Sequence, residues 1–234
     1  MMGSGIDSDS DCGAGWRGSA RRGVLANCSL LLLGGLAVAP ASAQHKGPAQ
    51  RTLLVVGDSL SAEYGLARGQ GWVALLSRRL ADNKLPVTVV NASISGDTTS
   101  GGRARLAPLL KQHAPHVVVI ELGGNDALRG LPLSMTQDNL TAMSQTAKAA
   151  GARVVVVGME IPPNYGRKYS EDFARVFATV ARAEGAALVP FLLKGVADGP
   201  DADGMFQPDR IHPKAEAHPR MLDNVWPVLK PLLR

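Results

Sequence analysis

From residue 52 to residue 229 the chain alternates short apolar runs with longer segments whose apolar residues recur at helical spacing. The runs are Thr52–Val56, Pro86–Val90, Val117–Glu121, Arg153–Val157 and Ala186–Phe191, rich in Val and Leu and mostly ended by Gly or Asn. Short runs of that kind read as strands. They are apolar at consecutive positions, as strands covered by helices on both faces must be. Between them lie helical patterns. Gly69 to Ala81 carries Trp72, Val73, Leu75, Leu76 and Leu80, and Thr99 to His113 carries Leu106, Leu109 and Leu110 on one face before Pro115 stops it. A long helix is expected from a Ser134 cap to Ala150, closed by Gly151, another from Ser170 to near Gly185, and a last one from Lys214 to Leu229. Ile161 to Gly166 is a loop that Pro and Gly keep out of regular structure, and Gly195 to Asp209 is a polar stretch. Strand and helix alternate five times, which specifies an α/β fold: a three-layer α/β/α sandwich around a five-stranded parallel sheet. The common strand order for five such strands is 2-1-3-4-5.

Ahead of this pattern the first 43 residues read differently. Arg17-Gly-Ser-Ala-Arg-Arg22 is a basic segment, Val24 to Val38 is apolar, and Ala41-Ser42-Ala43 has the small residues of a cleavage site. This predicts a secretory signal peptide over residues 1–43, a single domain over 44–234, and a periplasmic or secreted product. The apolar core is too short and too broken by Gly34, Gly35 and Pro40 for a membrane anchor, which needs about 20 apolar residues. No stable membrane span is expected once the leader is removed. Both cysteines, Cys12 and Cys28, fall in the leader, so the remainder has no thiol for a disulfide, a metal site or a nucleophile.

Composition narrows the function. Hydrophobic residues make up 45% of the chain, enough for a filled core, while aromatics are only 4%, so that core is aliphatic. The net charge is +5, and the leader's Arg17, Arg21 and Arg22 cancel its Asp7, Asp9 and Asp11. No Lys/Arg run of nucleic-acid-binding type is present. Asp201-Ala-Asp203-Gly204 lacks the remaining ligands of a calcium loop and reads as an acidic turn; no metal and no organic cofactor is expected.

Candidate chemistry sits directly after strands. Ser59, in Gly57-Asp-Ser-Leu60, follows strand one; Gly96 follows strand two; Asn125, in Gly123-Gly-Asn-Asp126, follows strand three. In a parallel sheet these positions share the carboxyl edge, where open α/β sheets bind ligands. On its own stretch Ser59 reads more readily as a helix N-cap than as a nucleophile. The three together supply a hydroxyl, a backbone N–H without side-chain bulk and a side-chain amide, the parts of a nucleophile and an oxyanion hole. A serine nucleophile needs a base. His113 and His116 precede strand three and belong to the opposite edge, and His218 lies in the last helix. His212 follows strand five on the correct edge, with Asp209 three residues earlier, near enough to orient its ring.

With these residues placed, the chain resembles the GDSL, or SGNH, hydrolases. Gly57-Asp-Ser-Leu60, Gly96 in Ser95-Gly-Asp97, Gly123-Gly-Asn-Asp126 and Asp209-Arg-Ile-His-Pro213 match four of that family's blocks in order. The flanks look like the secreted bacterial arylesterase, thioesterase and lysophospholipase branch. The resemblance implies a flavodoxin-like SGNH fold and catalytic Ser59, His212 and Asp209. It implies an oxyanion hole from the N–H groups of Ser59 and Gly96 and the amide of Asn125. Asp58 and Leu60, beside the serine, are expected at the substrate. Glu63, where close relatives often carry Gly, is expected near the entrance. Pro162, Tyr165 and Leu128 are expected to wall the acyl channel. The implied substrates are small esters or thioesters with an acyl or aryl group, and no nucleic acid. A carbohydrate-deacetylating esterase and a non-catalytic binding protein on the same fold are the competing readings.

Overall fold

The computed structural model describes residues 50–233; the leader expected over residues 1–43 lies outside them. Five parallel strands, β1 (Arg51–Gly57), β2 (Val87–Asn91), β3 (Val117–Glu121), β4 (Arg153–Val157) and β5 (Ala187–Val189), form one sheet in the order β2-β1-β3-β4-β5. This is the expected order. β3 is buried at every position, whereas no position of the edge strand β2 is fully buried. Among the described residues seven α-helices lie between and after the strands: α1 (Trp72–Asp82), α2 (Thr99–His113), α3 (Gly124–Leu128), α4 (Leu133–Ala149) and α5 (Arg167–Glu184) connect them, and α6 (Ala202–Met205) and α7 (His218–Leu229) follow β5. α1 packs with α7 on one face of the sheet, and α2, α4 and α5 form the layer on the other.

The core is aliphatic, as the composition requires, with a few large anchors. Trp72, Phe173 and Phe177 are wholly buried, and the two phenylalanines meet edge to face with centroids 5.1 Å apart, an arrangement their ring quadrupoles favour. His218 opens α7 and is buried. Its Nδ1 accepts the N–H of Trp72 at 3.0 Å, so it ties α7 to the first turn of α1. Burial pushes its pKa down, which keeps the ring neutral for that bond. His116, at the opposite edge, accepts the N–H of Thr52 in the same way at 3.2 Å.

Several boundaries differ from expectation. Ser134 does not cap α4; the helix starts at Leu133 with Pro132 before it and has no side-chain cap, because Pro132 presets an N-terminal conformation without one. β5 is shorter than Ala186–Phe191, since Pro190 removes a ladder donor. α5 begins at Arg167, three residues before Ser170. The last helix is preceded by a separate turn, Ala215–Ala217. Two short helices, α3 and α6, stand where loops are expected; each is too short for its periodicity to show.

Candidate active site

The loop after β1 begins with a tight approach of strand ends. A side-chain carbon on Gly57 would lie 2.8 Å from Oε2 of Glu121 and 2.9 Å from the side chain of Ser61. Glycine is therefore required there. Beyond it, Oδ1 of Asp58 accepts the N–H of Leu60 at 3.0 Å, and the chain turns so that Ser59 faces the carboxyl edge of the sheet, half-buried. The loop after β2 is pinned onto this one. Arg105, on α2, bonds Asp97 at 2.8 Å and also donates to the carbonyls of Ala92 and Gly57. Gly96 sits in that loop at φ 78°, a left-handed conformation open to glycine at no steric cost.

Ser59 and His212 are 153 positions apart in sequence, yet Oγ of Ser59 is 2.8 Å from Nε2 of His212. Nδ1 of the same ring is 2.7 Å from Oδ2 of Asp209. The other oxygen of Asp209 accepts the N–H groups of Ile211 and His212 at 2.9 and 3.0 Å, closing an Asx turn that fixes the loop. Arg210, inside that turn, takes φ 57°. Partial burial works against the charged form of Asp209. The N–H of His212, its ring, the N–H of Ile211 and the imidazole's charge outweigh that and hold the carboxyl down at about 2. Asp209 is thus an anion at any pH where esters are assayed, and the imidazole is held with Nε2 toward the hydroxyl. Tyr64 lies against the imidazole, ring centroids 4.2 Å apart.

Neither the N–H of Ser59 nor that of Gly96 has an acceptor among the described residues, the state required of oxyanion donors before substrate arrives. Asn125, on α3, differs. Its amide donates to Oδ2 of Asp58 at 3.0 Å and to the carbonyl of Asp97 at 2.9 Å, so an oxyanion would share one of these hydrogens. α3 is fixed by Asp126, which accepts the N–H of Thr99 at 2.9 Å as well as its hydroxyl.

A cavity of about 570 Å³ opens beside Ser59 and His212, within the range of small-molecule sites. Of the expected substrate residues, Asp58, Leu60, Leu128, Pro162 and Tyr165 line it. Glu63 does not. Its carboxylate instead accepts the N–H groups of Gly69 and Gly71, the latter at 2.8 Å, because those donors would otherwise go unpaired. Glu63, expected near the entrance, thus stands outside the cavity lining, and its carboxylate shapes the loop leading into α1. Residues outside the sequence motifs complete the wall, chiefly Met159, Ile161, Phe191, Leu193, Phe206 and Ile211. Tyr64 is the other residue that sequence reasoning did not single out; its place five residues after Ser59, on the same loop, was the available signal.

Beneath Ser59 lies a buried acidic pair. Oε2 of Glu121 accepts the hydroxyl of Ser61 at 2.6 Å, and Ser61 in turn accepts the indole N–H of Trp72 at 3.1 Å. Oε1 of Glu121 has no partner among the described residues. Burial, then the Asp58 charge, pushes the Glu121 carboxyl well above the usual range. Asp58 is pushed up to about 6, first by burial, with the N–H of Leu60, His212 and Asn125 acting against it. An acid that keeps its proton longer when folded costs stability as pH rises. From about pH 4 to about pH 6 the unfolded chain releases the Asp58 proton and the folded chain holds it. Stability present below that window is lost across it, by about 3 kcal/mol on the Asp58 shift alone. Asp58→Asn is expected to remove this slope. Urea unfolding at a series of pH values should show the variant's stability gaining on that of the unmodified protein by about that amount between roughly pH 4 and pH 7; parallel curves would refute it.

Comparison with known proteins adds a second line. The GDSL-like Lipase/Acylhydrolase family matches residues 55–220. "Esterase TesA" of Pseudomonas aeruginosa is 55% identical over 205 residues, covering 88% of this chain and 99% of TesA. "Thioesterase 1/protease 1/lysophospholipase L1" of Escherichia coli K12 is 41% identical over 188 residues, covering 80% and 88% respectively. The crystal structure of the psychrotrophic esterase EstA from Pseudoalteromonas sp., inhibited by monoethylphosphonate, superposes with a TM-score of 0.73 at 39% identity, covering 78% of this chain and 98% of EstA.

Proposed function

Because this chain belongs to the GDSL-like Lipase/Acylhydrolase family and hydrolyses ester bonds, we propose that Ser59 is its nucleophile, His212 its base and Asp209 the group that orients the base. The observation that carries the reading is the unbroken run from Asp209 through His212 to Ser59, with contacts of 2.7 and 2.8 Å. Nε2 of His212 takes the hydroxyl proton as Oγ attacks the carbonyl carbon. The developing oxyanion meets the unpaired N–H groups of Ser59 and Gly96 and a shared hydrogen of Asn125. His212 then protonates the leaving alcohol or thiol as the tetrahedral intermediate collapses to an acyl-enzyme on Ser59. Water, deprotonated by the same imidazole, attacks that ester and releases the acid.

The substrates proposed are carboxylic esters and thioesters: aryl esters, acyl-CoA and lysophospholipid-type molecules, with the acyl group in the apolar cavity. The leader read at residues 1–43 supports action in the periplasm after cleavage behind Ala43. The test is a panel of p-nitrophenyl esters of rising chain length, with an acyl-CoA and a lysophospholipid. Turnover is expected to rise with chain length until the cavity is filled. Absence of turnover across the panel would end the proposal. Tyr165, 42% exposed on the cavity wall, is expected to set part of the length preference. A methylene it covers contributes about 0.8 kcal/mol, roughly fourfold in rate, so Tyr165→Ala should change the ratio of long- to short-chain turnover several-fold. An identical chain-length profile would remove Tyr165 from the channel.

A further inference from the structure

Four large apolar side chains are exposed among the described residues: Tyr64 (49%), Ile94 (53%), Tyr165 (42%) and Ile211 (46%). Four such residues are an ordinary number for a protein surface; their distribution is not ordinary. Tyr64 follows β1, Ile94 follows β2, Tyr165 follows β4 and Ile211 follows β5. All four therefore stand on the carboxyl edge of the sheet, on four separate loops. Among the described residues the amino edge exposes none. Three of them also border the catalytic groups. Tyr64 covers the ring of His212, Ile211 and Tyr165 line the cavity, and Ile94 stands outside that lining.

We propose that this rim docks on a zwitterionic phospholipid surface and presents the mouth of the cavity to it. This rests on the acyl-hydrolase reading above and deepens it. Three features choose the occupant. The apolar tips surround an opening instead of forming a flat patch, so a second protein seated there would close the site to substrate. Two of the tips are tyrosines, whose apolar ring and polar end suit the boundary between headgroup and hydrocarbon. Exposed charges of both signs stand among them, with Arg129 and Arg210 on one hand and Glu160 and Asp198 on the other. That mixture complements a headgroup carrying both a phosphate and an ammonium. An acyl substrate could then pass from the lipid into the apolar cavity without crossing water.

The experiment measures cosedimentation of a Ser59→Ala protein, which cannot consume lipid, with phosphatidylcholine vesicles. Partition is expected, and adding Ile94→Asp should lower the partition coefficient about tenfold, the weight of one partly inserted isoleucine. Ile94 lines no part of the cavity, and its backbone bonds to Gly57 and Asp97 survive the change. Ile94→Asp with Ser59 intact should therefore hydrolyse soluble p-nitrophenyl acetate at the unmodified rate, which also shows that it folds. Three results would overturn the proposal: no partition of the parent protein, partition unaffected by Ile94→Asp, or a concentration-dependent dimer in sedimentation velocity that Ile94→Asp dissolves, which would make the rim a contact between copies. Loss of p-nitrophenyl acetate turnover in the unmodified protein would instead refute the hydrolase reading, since partition is measured without catalysis.

Discussion

Ser59→Ala is expected to lower kcat on p-nitrophenyl esters by about a millionfold, the scale seen when a serine hydrolase loses its nucleophile. The size follows from how the site is assembled. His212 has its second nitrogen committed to Asp209 at 2.7 Å and its first aimed at Oγ of Ser59 at 2.8 Å. Without the hydroxyl the imidazole has no side-chain nucleophile to activate. The free N–H groups of Ser59 and Gly96 survive the substitution because they belong to the backbone. A residual acceleration over water, about 10³–10⁴-fold, should therefore persist. Single-turnover assays with a chromogenic ester would also lose the burst of acyl-enzyme. The variant should fold normally, since the side chain is half-buried and bonds only His212. Turnover within a factor of ten of the unmodified protein would mean that another group attacks the ester.

Asp209→Asn is expected to cost about 10⁴-fold in kcat. Asparagine can still accept the N–H groups of Ile211 and His212 through its oxygen, so the turn and the loop remain. What changes is the face toward the imidazole. In Asp209 that face is an acceptor for a proton on Nδ1, leaving Nε2 bare and basic beside Ser59. An amide NH₂ there favours the opposite tautomer, with the proton on Nε2 and no base at the hydroxyl. It also removes the anion that stabilises the imidazolium. Because the carboxyl is held down at about 2, the unmodified protein keeps this anion well into acid, so protonation of Asp209 itself adds nothing to the pH dependence of the loss between about pH 5 and pH 8. Thermal unfolding should separate the two roles, with Tm almost unchanged while kcat collapses. A loss below about a hundredfold would show that the imidazole is oriented by something else, Tyr64 being the only aromatic ring packed on it among the described residues.

Much of this was legible in the order of residues. Runs such as Val117-Val-Val-Ile120 can be satisfied only where both faces of a strand are covered, so they announce a parallel sheet and place the loops after Gly57, Asn91 and Glu121 on one edge. Asp209 and His212 could be paired because the Asx turn that joins them spans three residues and needs no other part of the chain. Short helices escaped because α3 and α6 are too brief for an apolar stripe, and Ser134 misled because a cap residue looks the same whether or not its hydroxyl is used.

Other features depended on which distant groups compete for the same partner. Glu63 reads as a charge near the entrance, yet the unpaired N–H groups of Gly69 and Gly71 claim its carboxylate. Asn125 reads as a free amide, yet Asp58 and the carbonyl of Asp97 already occupy it. Glu121 reads as the polar end of a strand. Its pairing in register with Gly57 instead buries it under Ser59 with Asp58, raising both acids. Periodicity and turn chemistry act over a few residues and can be read along the chain. Burial, a hydrogen bond's choice among acceptors, and the meeting of four loops around one opening arise only when the folded layers bring remote segments within bonding distance.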